Sequence, residues 1–412
     1  MTCGQQTAAM SNMRSDKDVS TSPPDKTDMK RLALRLAIFA AAISMLAATG
    51  GCSARKSEEG KGDDTAQQLL PVKYARGFKL SQGDGYICAE LTNPWDTTRL
   101  LERYILVHKD SALPERLPQG SVVRVPLENT LVFSSVHCSL LQELGKGDAI
   151  GGVCDSRYIY SDSLQKRLRE GRLVDAGSSL TPDMERILAM QPEAILLSPY
   201  ENSGYGRLQK TGIPVIECAD YLETSPLGRA EWMRLFGLLY GCAAQADSLF
   251  YTVEKAYTDV KERIATVSDR PSVISERRTG AVWYMPGGKS YMATLFADAG
   301  GSYPWHDNND VGSMPLSFEN VLEKGRNADF WFIKYNAPDK MTYADLAAEY
   351  APYRHFKAFA ERRIFACNSD KCPYYEETPF HPDRLLQDFA AIFHPELFGA
   401  YTPYYFHPLS SE

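Results

Sequence analysis

Three arginines and four large aromatic side chains fall on segments that read as loops following short apolar strands. Arg157, Arg277 and Arg278 carry planar guanidinium forks, which match a carboxylate or catecholate through parallel hydrogen bonds. Tyr158, Tyr200, Trp283 and Trp305 offer flat faces on which a macrocycle can stack. Ser135 and Ser290 add hydroxyls, and His306 adds an imidazole beside Trp305. This is a vocabulary for binding an organic ligand, and an anionic chelate suits it best. It contains no vocabulary for turnover: the chain has no GxSxG elbow, no P-loop and no HExxH. Gly287-Gly288-Lys289-Ser290 lacks the leading Gly-x4 frame of a phosphate loop. No enzyme and no resident cofactor is expected.

Glu185 and Glu319 carry a different chemistry. Thr181-Pro182-Asp183-Met184-Glu185 opens a helical pattern that leads through Gln191-Pro192-Glu193 into the apolar run Ala194-Ile195-Leu196-Leu197. Leu316-Ser317-Phe318-Glu319 opens a second such pattern, leading through Asn327-Ala328-Asp329 into Phe330-Trp331-Phe332-Ile333. In each copy a cap-like Thr or Ser precedes a first-turn glutamate, which the positive end of the helix dipole favours. Two similar units each offering one exposed carboxylate suit a two-lobed binding protein that docks on a membrane partner.

The elements that would position these groups alternate. Short strands and turns fill the stretch from Val72 to Pro126, with Gly83-Asp84-Gly85 as a hairpin signal. Strands at 130–133, 149–153, 194–197 and 212–216 then alternate with helices at 139–144 and 184–190, the rhythm of a parallel sheet. Phe250, Val253, Tyr257, Val260 and Ile264 keep helical spacing, and Gly237 and Gly241 divide that region into two helices. The second, Ala243 to Val267, would span about 37 Å, enough to cross from one lobe to another. After Pro271 the alternation restarts, ending in a helix from Pro382 to Phe393. Ligands of such sheets sit at the carboxyl ends of the strands, where the arginines and aromatics fall.

The expected division is a leader and signal peptide over 1–51, with Met29 as an alternative start, and a tether over 52–70. An N-terminal lobe over 71–242, a linking helix over 243–268 and a C-terminal lobe over 269–412 follow. The apolar run Leu36 to Ala48 follows Lys30, Arg31 and Arg35 and leads to Thr49-Gly50-Gly51-Cys52, which resembles a lipobox with Cys52 as the lipidated residue. The net charge of −7 argues against a nucleic-acid partner. Of nine cysteines only Cys367 and Cys372 form a close pair, a candidate bridge in an exported chain. With seven histidines and no histidine-rich loop, a directly bound zinc or manganese is not expected. His306 and Tyr303 are the first candidates for an axial contact to haem iron.

Three further segments carry a resemblance: Pro226-Leu227-Gly228-Arg229-Ala230-Glu231-Trp232, Met285-Pro286-Gly287-Gly288-Lys289-Ser290 with Phe296-Ala297-Asp298-Ala299-Gly300-Gly301, and Pro382-Asp383-Arg384-Leu385-Leu386 with His394-Pro395-Glu396-Leu397. In order and spacing the chain from about 120 to 400 resembles the periplasmic substrate-binding lipoproteins of ABC importers for iron siderophores, haem and cobalamin. The resemblance implies an α/β fold of two Rossmann-like lobes joined by one long helix, a class III periplasmic binding protein. It implies capture of an iron complex between the lobes by a monomer anchored in the periplasm through Cys52. It implies delivery to a permease dimer with its ATPase, docked through Glu185 and Glu319. A corrinoid ligand is the alternative within the family. A chelatase-like enzyme and a surface haem-holding lipoprotein are the alternatives outside it.

Overall fold

The computed structural model describes residues 68–411. The leader, Cys52 and most of the expected tether lie outside them. The last tether residues form a strand, Gln68–Leu70, paired antiparallel with Phe78–Gln82. Phe78–Gln82, Ile87–Thr92, Leu100–His108 and Ser121–Val125 complete a five-stranded sheet in chain order, antiparallel except for its last, parallel pair. Gly83 supplies the hairpin turn, because a Cβ there would lie 2.2 Å from the Tyr86 ring. Alternation along Leu100–His108 sends Tyr104 and Leu106 into the main core, while Ile105 and Val107 join a small cluster with Tyr86 and Cys88.

This sheet is fastened to the next. The Tyr104 hydroxyl donates to the carbonyl of Val215 at 2.8 Å and accepts from the amide of Glu217 at 2.9 Å. It thereby satisfies the open edge of strand Val215–Glu217, which a sheet must otherwise protect. Buried carboxylates secure the approach segment. Glu231 accepts from the amides of Lys73, Tyr74 and Ala75, and Glu223 accepts from those of Arg76 and Gly77.

Two parallel sheets form the body. The first runs in the order Val215–Glu217, Ala194–Leu197, Thr130–Val132, Ile150–Val153, Val174–Asp175. The second runs Val273–Ser275, Phe330–Tyr335, Ile364–Asn368, with His407–Pro408 added antiparallel at the edge. Their central strands are apolar runs buried on both faces, as a helix-covered parallel sheet requires. A three-stranded antiparallel sheet of Arg278–Thr279, Val282–Pro286 and Ser313–Leu316 accompanies the second.

One helix, Ala243–Ile264, connects the two halves. Its 22 residues correspond to about 33 Å, three residues shorter than the spacing suggests, with Ala265 as its cap. Ala246, Phe250, Val253, Tyr257, Val260 and Ile264 are its buried stripe. Near its start Ala246 packs at Gly237 of the helix Met233–Leu239, with Gly241 turning the chain at φ 64°. Near its end the Tyr257 hydroxyl and Lys261 both reach Asp298 of the second half, at 2.6 and 2.9 Å, and the helix Pro382–Phe393 packs along it. The fold is α/β, two Rossmann-like lobes joined by this single helix. Among the described residues no helix is long and apolar enough to cross a membrane.

The C-terminal tail was not anticipated as structure. Asp388, fully buried in the helix Pro382–Phe393, accepts from the Tyr401 hydroxyl and from the amides of Tyr404, Tyr405 and Phe406. Those four bonds turn the tail so that His407–Pro408 meets Phe365 and Ala366 at the sheet edge.

Candidate functional site

Backbone strain marks the carboxyl ends of the strands. Among the described residues six non-glycine residues adopt positive φ, and four of them lie on loops that follow strands of the parallel sheets: Asp155, Asn202, Tyr205 and Glu276. Such conformations cost on the order of 1–3 kcal/mol each and persist where surrounding structure imposes them, often at ligand sites. Asp155 holds its turn through Ser179, whose amide and hydroxyl both donate to its carboxylate.

In the first half, Ser135 opens the helix Ser135–Glu143, capped by the Ser134 hydroxyl. The Ser135 hydroxyl donates across to Glu376 of the second half at 3.4 Å, and burial raises the pKa of that carboxyl. Arg157 is exposed and lies 4.7 Å over the ring of Tyr158. Tyr200 is 48% exposed. Beneath its loop, the Tyr205 hydroxyl donates to Glu217, whose other oxygen is buried without a partner. Burial pushes the Glu217 carboxyl up to about 6. Sequence reasoning missed Glu217, because a glutamate ending a strand looks like a surface residue.

In the second half the arginines are already engaged. Arg277 pairs with Glu349. Arg278 stacks 3.9 Å from the Tyr350 ring and donates to the carbonyl of Gly280 at 2.9 Å, with its Nε buried and unpartnered. Glu276 pairs with Lys334. Three residues singled out for binding are committed elsewhere. Trp283 is fully buried among Trp331, Tyr353 and Phe356 and donates to the Ser275 carbonyl, so it has no ring face to offer a ligand. Trp305 is also buried, beside Tyr303. Ser290 caps the helix Tyr291–Asp298. Strand alternation turns the Trp283 indole inward, and Trp305, in a turn, packs its ring on Tyr303.

The glycines of the 287–290 segment serve close packing. A Cβ on Gly287 would meet the Asp310 carbonyl at 2.2 Å, and one on Gly288 would meet two carbonyls at 2.3 Å. The amides of Gly287, Lys289 and Ser290 are bonded to carbonyls of the chain, so they form no anion cradle. His306 is exposed, with its Nδ1 2.9 Å from the Tyr303 carbonyl. Donation from Nδ1 leaves the lone pair on Nε2, the state an axial ligand needs. Tyr303 is buried and its hydroxyl donates to Pro286 at 2.6 Å, so that phenol is spent. Among the described residues no group of three His, Cys, Asp or Glu side chains could hold a metal ion.

A polar seam joins the halves. His381 of the second half lies 2.8 Å from Glu143 of the first and 3.6 Å from Asp383. His137 pairs with Asp220 at 2.8 Å with both side chains buried, and Arg229 lies 3.5 Å from Asp220 and 5.6 Å over Tyr291 of the second half. Phe380 packs against both Phe236 and His137. Sequence reasoning placed His137 on a cleft loop and His381 at a turn, and no spacing revealed the contact between halves.

The two first-turn glutamates, expected to dock on a partner, occupy equivalent places. Glu185 and Glu319 are each the second residue of their helices, Met184–Met190 and Phe318–Gly325, and both are exposed. Asp183, not a threonine, caps the first helix, because Thr181–Pro182 forms a short strand with Gly177–Ser178; Ser317 caps the second as expected. Each helix leads to an interior strand of its sheet, Ala194–Leu197 or Phe330–Tyr335. Leu180 and Leu188 stand exposed on the segments beside Glu185.

Comparison with known proteins agrees with this architecture. The sequence model of a family described as periplasmic binding protein matches residues 134–371, beginning after the five-stranded N-terminal sheet. Two uncharacterized lipoproteins of Methanocaldococcus jannaschii are similar along most of the chain. One is 28% identical over 92% of this chain and 96% of its own, the other 26% identical over 80% and 84%. Among solved structures, a periplasmic haem-binding protein from Pseudomonas aeruginosa superposes with a TM-score of 0.54 at 14% identity, covering 69% of this chain and 98% of its own. An ABC-type Fe3+-hydroxamate transport protein from Saccharomonospora viridis gives 0.52 at 19%, covering 67% and 94%. The periplasmic vitamin B12 binding protein of Vibrio cholerae gives 0.50 at 15%, covering 66% and 99%.

Proposed function

The chain belongs to the periplasmic binding proteins, and from that premise we propose that it captures an iron chelate, a siderophore complex or haem, between its lobes and delivers it to a membrane permease. The lobes would be 71–242 and 269–412. The permease would be a dimer worked by an ATPase, and the chain would be a monomer held at the membrane through lipid on Cys52. The names of its relatives support the lipid anchor. The observation that carries the proposal is the pair Glu185 and Glu319, exposed at the same helical position on matching units of both halves. A pair of carboxylates so placed suits a two-fold partner and sets its register.

Ligand contacts are proposed for Ser135, Arg157, Tyr158 and Tyr200 on the first lobe and for Arg277, Arg278 and His306 on the second. A corrinoid is the second reading, and one observation favours it. Arg277 is neutralised by Glu349 and Arg278 lies on Tyr350, so neither guanidinium stands free for an anionic ligand. A charge-neutral ligand would need no guanidinium released.

The visible spectrum of the purified protein, before and after incubation with haem, a ferric siderophore or cobalamin, tests the proposal. Retention of one chromophore through gel filtration is expected. Replacing Arg277 and Arg278 together by Ala should weaken an anionic chelate at least about tenfold; unchanged affinity would select the corrinoid. Retention of none of the three would overturn the ligand class.

A further inference from the structure

Cys367 and Cys372 bracket the loop that leaves the carboxyl end of strand Ile364–Asn368. The loop is a tight turn, with the amides of Lys371 and Cys372 both bonded to the Asn368 carbonyl at 3.0 Å. Cys367 is fully buried, whereas Cys372 is partly exposed and packs against the same core. The Cys372 thiol lies 3.9 Å from the Tyr404 carbonyl, and the Cys372 side chain together with burial raises the pKa of Cys367. Directly after the turn, Pro373 leads into the helix Tyr374–Glu377, which packs on the helix Ser135–Glu143 of the first half and carries the Glu376 carboxylate bonded to Ser135. The other five described cysteines, Cys88, Cys138, Cys154, Cys218 and Cys242, are all buried.

We propose that Cys367 and Cys372 are a redox pair that closes to a disulfide and clamps the turn from which the lobe-bridging helix departs. The oxidant is a low-molecular-weight disulfide or an exchange protein of that class. The accessible Cys372 attacks first as thiolate, forming a mixed disulfide and releasing one thiolate of the oxidant. Cys367 then loses its proton and attacks the Cys372 sulfur, expelling the second thiolate. Two protein thiols and one external disulfide become one protein disulfide and two external thiols. An exported protein meets such oxidants. The inference is independent of the ligand.

Peptide mapping tests it, because trypsin separates the two cysteines. Cleavage after Arg363, Lys371 and Arg384 places Cys367 in peptide 364–371 and Cys372 in peptide 372–384. The full chain is incubated with oxidised glutathione, alkylated under denaturing conditions and digested. The expected product is 364–371 linked to 372–384, separating on reduction, with the five buried cysteines fully alkylated. Cys367→Ser should stop at a glutathione adduct on peptide 372–384. Cys372→Ser should leave Cys367 free and unmodified while the protein stays folded. Recovery of both wild-type peptides singly alkylated after oxidation would overturn the proposal. So would an adduct on Cys367 in the Cys372→Ser protein, since the order of attack would then be wrong.

Discussion

Glu223, Glu231 and Asp388 are buried acids held by backbone amides, and the count of donors decides what each is worth. Asp388 accepts from three amides and one hydroxyl, yet burial still raises its pKa. Asp388→Asn would turn an NH2 toward donors that need an acceptor. Each orphaned buried donor costs about 1–3 kcal/mol, so a loss of about 2–4 kcal/mol in denaturant unfolding is expected. A loss below about 0.5 kcal/mol would mean that apolar burial alone docks the tail. His381 sets a pH dependence. Burial alone would lower its pKa; the neighbouring carboxylates of Asp383 and Glu143 outweigh that and hold it at about 9, against 6.5 unperturbed, with Arg384 opposing. The charged form is therefore favoured by folding. Its stabilisation, at most about 3 kcal/mol, is complete below pH 6.5 and lost as pH rises through 9. Thermal midpoints of the chain and of His381→Asn should converge between those limits, and a constant gap would remove the ion pair from the account. Glu143, whose pKa is lowered, adds a loss of stability only on the acid side.

Elements were legible wherever one period dominated. The buried stripe of Ala243–Ile264 and the strands Ala194–Leu197 and Phe330–Tyr335 follow directly from spacing and apolar runs. What spacing could not supply was facing and partnership. Trp283 lies within the strand Val282–Pro286 and Trp305 in a turn, and both indoles turn into the core. Arg277 and Arg278 meet Glu349 and Tyr350 from a helix, Tyr343–Glu349, that no pattern announced. The edge strand His407–Pro408 depends on Asp388, a contact across about twenty residues of tail. The linking helix yields its own prediction. Packed along both halves, it leaves little backbone free to hinge, so ligand should change the relative lobe position only slightly. Solution scattering with and without ligand should give nearly coincident profiles. A large fall in radius of gyration would show that the helix is not a strut.

At the scale of the whole molecule the central claim is delivery, and it separates cleanly from capture. Glu185 and Glu319 belong to helices that carry none of the proposed ligand contacts. Glu185→Ala with Glu319→Ala should therefore leave ligand affinity intact. Loss of one partner from a charge pair buried at an interface costs about 2–5 kcal/mol, so each single variant should be partly impaired in delivery and the double variant inactive. The decisive measurement is ligand-stimulated ATP hydrolysis by the reconstituted importer, read with wild type, both single variants and the double variant. Stepwise loss to the unstimulated rate at unchanged ligand affinity is the expected result. Full stimulation by the double variant would contradict it and leave the two glutamates as residues that merely suit a helix dipole.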